Sequence, residues 1–85
     1  MNMRPRHEWL TCRERAVLRH MVEGLSAEQI AAVDYVTVAT VRSQIRSILS
    51  KLGVRSQLAA VAYAHRLMWT DEEERQRALD RLMTA

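Results

Sequence analysis

Apolar residues recur along this chain three and four positions apart, the spacing that gathers them on one side of a helix. The clearest stripe is Val38, Val41, Ile45, Ile48 and Leu52, with Leu49 at its edge. No run alternates apolar and polar residues over four or more positions except 35–38, which the following helix soon absorbs. The pattern predicts helices over 12–23, 27–33, 38–52, 57–68 and 71–83, and no strand. The fold class expected is all-α.

Helix N-termini leave amide groups that need side-chain acceptors, so Ser or Thr followed three residues later by Glu or Gln marks a start. Thr11 with Glu14, Ser26 with Gln29, and Thr70 with Glu73 are three such boxes, while Thr37 and Ser56 are plain caps. Gly24 and Gly53 stand where helices should stop, because glycine enters the left-handed C-terminal conformation without steric strain. Only residues 1–8 lack an element, and they read as a flexible basic arm carrying Arg4 and Arg6.

The back of the third helix changes the picture. Ala39, Arg42, Ser43, Arg46 and Ser50 project away from the apolar stripe, so two guanidinium groups stand among small residues. A helix that lies in a DNA major groove, about 12 Å wide, needs short side chains flanking a few long donors. The second helix is short and joins the third through a few residues around Asp34 to Val36, as in a helix-turn-helix. A structural helical hairpin has the same outline, and periodicity leaves both readings open.

Charge is distributed unevenly. Five Arg balance five acids over 1–34, whereas 35–70 holds Arg42, Arg46, Lys51, Arg55 and Arg66 with no acid, and 71–85 sets five acids against three Arg. Unopposed basic charge attracts phosphates, so the middle segment is the one a polyanion would approach. The 85 residues make one small domain, with little room for a catalytic cleft. Cys12 is alone, which excludes an internal disulfide and a zinc knuckle and implies a reducing, cytoplasmic setting. His7, His20 and His65 show no ligand or catalytic spacing, and no nucleophile, base and orienting group occur together. Neither an enzyme nor a cofactor is expected, and no small-molecule ligand or membrane span is evident.

The fragments Leu10-Thr11-Cys12-Arg13-Glu14-Arg15-Ala16-Val17-Leu18, Gly24-Leu25-Ser26, Ile30-Ala31, Thr40-Val41-Arg42, Ile48-Leu49, Lys51-Leu52-Gly53-Val54 and Ala60-Val61 occur in unbroken register. Together they closely resemble the LuxR-type helix-turn-helix domain over roughly 9–65. The resemblance implies a four-helix domain over 9–69, here with an additional C-terminal helix over 70–85. It implies a regulator of transcription that binds double-stranded DNA with helix 37–52 in the major groove. Arg42, Ser43 and Arg46 match positions that look toward base edges; Thr37, Thr40, Lys51 and Ser56 match positions near the phosphate backbone, with Gln44 and Arg55 beside them. The family attaches this domain to a sensor or receiver. Here it begins almost at Met1, so the expectation is a stand-alone regulator or a fragment.

Three residues depart from the family pattern. Gln44 stands where His is common. Cys12 replaces a Pro at the first helical position, either as a small residue that fits or as a reactive thiol beside Arg13. Asp34 replaces a buried Leu, and a buried carboxylate needs partners or carries a penalty of several kcal/mol, on the order of 3–5. Otherwise it turns to solvent and leaves Val33, Tyr35 and Val36 to fill the gap.

The fourth helix is apolar on nearly every side. With Val61, Ala64 and Met68 serving the core, Leu58, Ala62 and Trp69 are left over, flanked by Ala59, Tyr63 and Arg66. Family resemblance assigns this helix, 56–69, to a homodimer; the alternative cover is the fifth helix, whose Leu79, Leu82 and Met83 form their own stripe. Two functions compete: a sequence-specific DNA-binding regulator, and a protein-interaction module that keeps the fold but binds another regulator.

Overall fold

The computed structural model describes residues 4–68 and 71–84, and among them every regular element is helical. A 3-10 turn over Arg6–Trp9 precedes α1 (Cys12–Val22), α2 (Ala27–Asp34), α3 (Val38–Leu52) and α4 (Gln57–Tyr63). A π-helical turn over Ala64–Met68 extends α4, and α5 spans Asp71–Thr84. The bounds of α3 are those its periodicity predicts.

Local chemistry explains where the helices begin. Thr11 Oγ1 accepts from the Glu14 amide at 3.0 Å while Glu14 Oε1 accepts from the Thr11 amide at 2.8 Å. Ser26 and Gln29 repeat the exchange at 3.2 and 2.8 Å. Thr37 and Ser56 accept from the amides of Thr40 and Ala59. The box expected at Thr70 lies outside the described residues. At the other end of α3, Gly53 has φ 70° and its amide donates to Leu49 and Ser50 carbonyls. A Cβ there would come within 2.9 Å of the Arg6 guanidinium, the far end of a flexible side chain that can swing aside, so it is the left-handed backbone that favours glycine.

α3 is the central rod, packed against α1, α2, α4 and the 3-10 turn. Its Val41, Ile45, Ile48 and Leu52 are buried, with Val38 and Leu49 half-buried at the margins. They meet Val17, Leu18 and Met21 of α1, Ile30 and Ala31 of α2, and Ala60, Tyr63, Ala64 and Met68 from the α4 region. Each fully buried Leu, Ile or Val in such a core contributes about 1.5–3 kcal/mol.

Two sequence expectations for α4 need correction. Tyr63, expected at a dimer surface, is buried in this core. Burial of α4 centres on Ala60 and not on Val61, and the π turn then carries Ala64 and Met68 inward. Small Ala60 and Ala64 permit close approach, and Tyr63 between them follows.

The residues before Trp9 are not a loose arm where they are described. The Tyr63 hydroxyl lies 3.3 Å from the His7 amide, which donates to it, and 3.4 Å from His7 Nδ1. Arg15 Nη2 reaches the His7 carbonyl at 3.4 Å, and the Arg6 guanidinium lies over Trp9. Burial, and then the Arg15 charge, lower the His7 pKa. The fastening is an imidazole edge-on to a buried tyrosine ring.

Finally, the carboxylate of Asp34 does not turn to solvent. Its side chain is only 12% exposed, with Arg13 Nη2 at 3.2 Å and His20 Nε2 at 3.5 Å. α1 thus supplies the counter-charge that the missing Leu made necessary. Tyr35 and Val33 are exposed and fill nothing, while Val36 is half-buried against the core.

Candidate nucleic-acid interface

The outward side of α3 exists because its inward side is fixed. With four residues of the apolar stripe buried, the 3.6-residue turn brings Ala39, Thr40, Arg42, Ser43, Arg46 and Ser50 to the surface, and all six are exposed. The other exposed side chains on this face, Ala39, Thr40, Ser43 and Ser50, are short, so the guanidinium groups are its longest features. Arg46 has no hydrogen-bond or ion-pair partner among the described residues. Arg42 Nη2 donates to Glu28 Oε1 at 3.0 Å, and both side chains remain about 60% exposed. Such an exposed pair contributes no more than about 1 kcal/mol to folding stability.

An open groove of about 470 Å³ runs beside this face. It is lined by Ser26, Ala27 and Glu28 at the start of α2, Arg42, Ile45, Arg46 and Leu49 of α3, and Gln57 at the start of α4. Two helix N-termini therefore border the two arginines. Amide groups at such ends carry partial positive charge and receive anions well, which the sequence reading did not anticipate for α2.

The flanking residues divide by what they already hold. Thr37 Oγ1 caps α3 and lies 2.9 Å from Thr40 Oγ1, so these two hydroxyls form one exposed pair. Ser56 caps α4 and Arg55 beside it is exposed. Gln44 is half-buried with its Oε1 enclosed and without a partner among the described residues.

Lys51 has a task the sequence did not reveal. Its Nζ lies 2.6 Å from Glu14 Oε1, and the Ser47 hydroxyl donates to Glu14 Oε2. Burial would raise the Glu14 pKa, but hydrogen bonds from Lys51, Ser47 and the Thr11 amide outweigh it and hold it at about 2. This carboxylate ties the start of α1 to the second half of α3 and fixes the angle at which α3 is presented.

Of the residues expected at a dimer surface, Leu58 and Arg66 are exposed, Ala59 and Ala62 are half-buried, and Trp69 lies outside the described residues. Leu67 is also exposed, a residue the sequence reading left unassigned. α5 does not hide this surface: Leu58 is 80% exposed, and Leu79, Leu82 and Met83 on α5 are themselves exposed. No helix among the described residues is long and apolar enough to cross a membrane, and no His, Cys, Asp and Glu there cluster to hold a metal.

Comparison with known proteins agrees with this architecture. The model of bacterial regulatory proteins of the luxR family matches residues 8–64. The response regulator protein VraR of Staphylococcus aureus is 40% identical over 58 residues, which is 68% of this chain and 28% of that protein. VraR of Staphylococcus epidermidis matches equally. The crystal structure of the response regulator ChrA, from a heme-sensing two-component system, superposes with a TM-score of 0.65 at 38% identity, over 67% of this chain and 28% of that one. The chain thus spans just over a quarter of the length of the relatives it matches. With a family match running from the 3-10 turn to the end of α4 and a helix-turn-helix formed by α2 and α3, this chain belongs to the LuxR family of bacterial regulatory proteins.

Proposed function

We propose that the chain is a sequence-specific DNA-binding regulator of transcription that inserts α3 into the major groove. The observation that carries this reading is the outward face of α3, where exposed Arg42 and Arg46 stand among the small side chains of Ala39, Thr40, Ser43 and Ser50 beside two helix N-termini. Arg42, Ser43 and Arg46 read base edges. Thr37, Thr40, Gln44, Arg55 and Ser56 lie along the phosphate backbone, with Lys51, paired to Glu14, behind them. A guanidinium matches the O6 and N7 acceptors of guanine, and short neighbours let the helix approach closely enough for that contact.

Binding is measured as titration of Arg42→Ala and Arg46→Ala against a duplex selected from random DNA by the wild-type chain. Each substitution lowers affinity by about 1–3 kcal/mol if it removes a base contact. Unchanged affinity in both variants removes the mechanism.

The protein acts as a homodimer through the outer side of α4, where Leu58 and Leu67 stand exposed beside Ala62 and Arg66. An apolar surface left open by the protein's own fold favours a partner subunit, and a two-fold pair would address two half-sites about one helical turn apart. The same exposed leucines favour the second reading, an interaction module that docks another regulator. Retention of no duplex during selection at low salt would favour that reading instead.

A further inference from the structure

Glu28 is a carboxylate on a face otherwise suited to phosphates. It sits at the second position of α2, 3.0 Å from Arg42 Nη2, and lines the same groove as Arg42 and Arg46. An acid there opposes DNA by simple Coulomb repulsion, unless its effect falls on something other than total affinity. Arg46, one turn further along α3, has no such partner among the described residues.

We infer that Glu28 is a specificity-determining positioning residue that holds the Arg42 guanidinium for a base edge and makes phosphate a poor substitute. The inference rests on the reading that α3 enters the major groove. A guanidinium has five N–H donors in a planar fork, and Glu28 Oε1 occupies one on Nη2. The donors left over suffice for a bidentate contact with guanine O6 and N7. An unrestrained arginine beside a duplex is drawn to the nearest phosphate, which rewards any sequence equally. Pairing with Glu28 cancels most of the net charge that drives such contacts, while directional hydrogen bonds to a base edge survive. Because the pair is exposed, it does little for folding, so its effect on binding is separable from stability.

The test uses the full 85-residue chain, the duplex that the wild type selects, and a shuffled duplex of equal length as the non-specific probe. Affinity for both is measured over a salt series for wild type, Glu28→Gln, Glu28→Asp, Arg42→Ala and the Glu28→Gln/Arg42→Ala pair. Glu28→Gln should bind the shuffled duplex about 3- to 10-fold more tightly, because one repelled charge is gone. Its ratio of specific to non-specific affinity should fall about tenfold, the scale of one bidentate contact, with an unchanged melting temperature. In the Arg42→Ala background the same substitution should leave the ratio unmoved. Glu28→Asp keeps the charge but loses reach, so a reduced ratio with the wild-type salt slope supports positioning. An undiminished ratio in Glu28→Gln or Glu28→Asp, or an effect that persists without Arg42, overturns the assignment. Arg42→Ala costly and Glu28→Gln neutral in the ratio sinks Glu28 alone; a wild type that prefers no sequence sinks the groove reading and this inference together.

Discussion

At the scale of single residues, two acids from the charge-balanced first segment define the behaviour of the basic middle one. Glu14 reaches Lys51 and Glu28 reaches Arg42, so the apparent acid-free stretch is partly neutralised in space. Counting charge along the chain cannot see this, because both pairs join residues on different helices. The Glu14 pKa of about 2 lies below its ordinary 4.5, so the folded state favours the ionised form. The stability this contributes is complete above pH 4.5 and is lost as the pH falls from there toward 2. A shift of this size corresponds to roughly 3 kcal/mol. Urea denaturation from pH 7 down to 2 should show that decline, and Glu14→Gln should flatten the acid limb while starting from a lower stability at pH 7. An acid limb of unaltered steepness in Glu14→Gln would show that other carboxylates govern it. Asp34 teaches a related lesson: its need for partners was legible, but not that α1 would supply Arg13 and His20.

Among the elements, α3 was readable from sequence to the residue because its caps and its apolar stripe are local and agree. α4 was not. An Ala-rich helix has no single stripe, so periodicity left its rotation undetermined, and the π turn after Tyr63 lies beyond a fixed 3.6-residue period. The 3-10 turn at Arg6–Trp9 was missed for a different reason: its anchor, Tyr63, lies 56 residues away from His7. These assignments predict opposite outcomes for two neighbours on α4. Tyr63→Phe removes the hydroxyl that receives the His7 amide and should lower unfolding stability by about 0.5–1.5 kcal/mol without changing oligomeric state. Leu58→Asp should leave monomer stability within about 0.5 kcal/mol, as a surface change, and shift sedimentation toward the monomer. A dimer indifferent to Leu58→Asp would exclude this side of α4 as the contact.

For the whole molecule, the two surfaces that matter lie on different helices. The basic outward face of α3 and the start of α2 form one; exposed Leu58 of α4 and Leu67 of the turn that extends it mark the other. The family match covers both α3 and α4, whereas α5 begins beyond it. Under the proposed function that separation would let one chain engage DNA and a partner subunit together, and it makes the competing functions distinguishable by location. The most direct measurement is an amide chemical-shift titration of the labelled chain with its selected duplex. The account predicts the largest changes at Arg42, Ser43 and Arg46, with further changes at Ser26, Ala27 and Gln57 where the two helix N-termini border the groove. Changes confined to Leu58, Leu67 and α5, with the amides of Arg42 to Arg46 unmoved at saturating duplex, would contradict it.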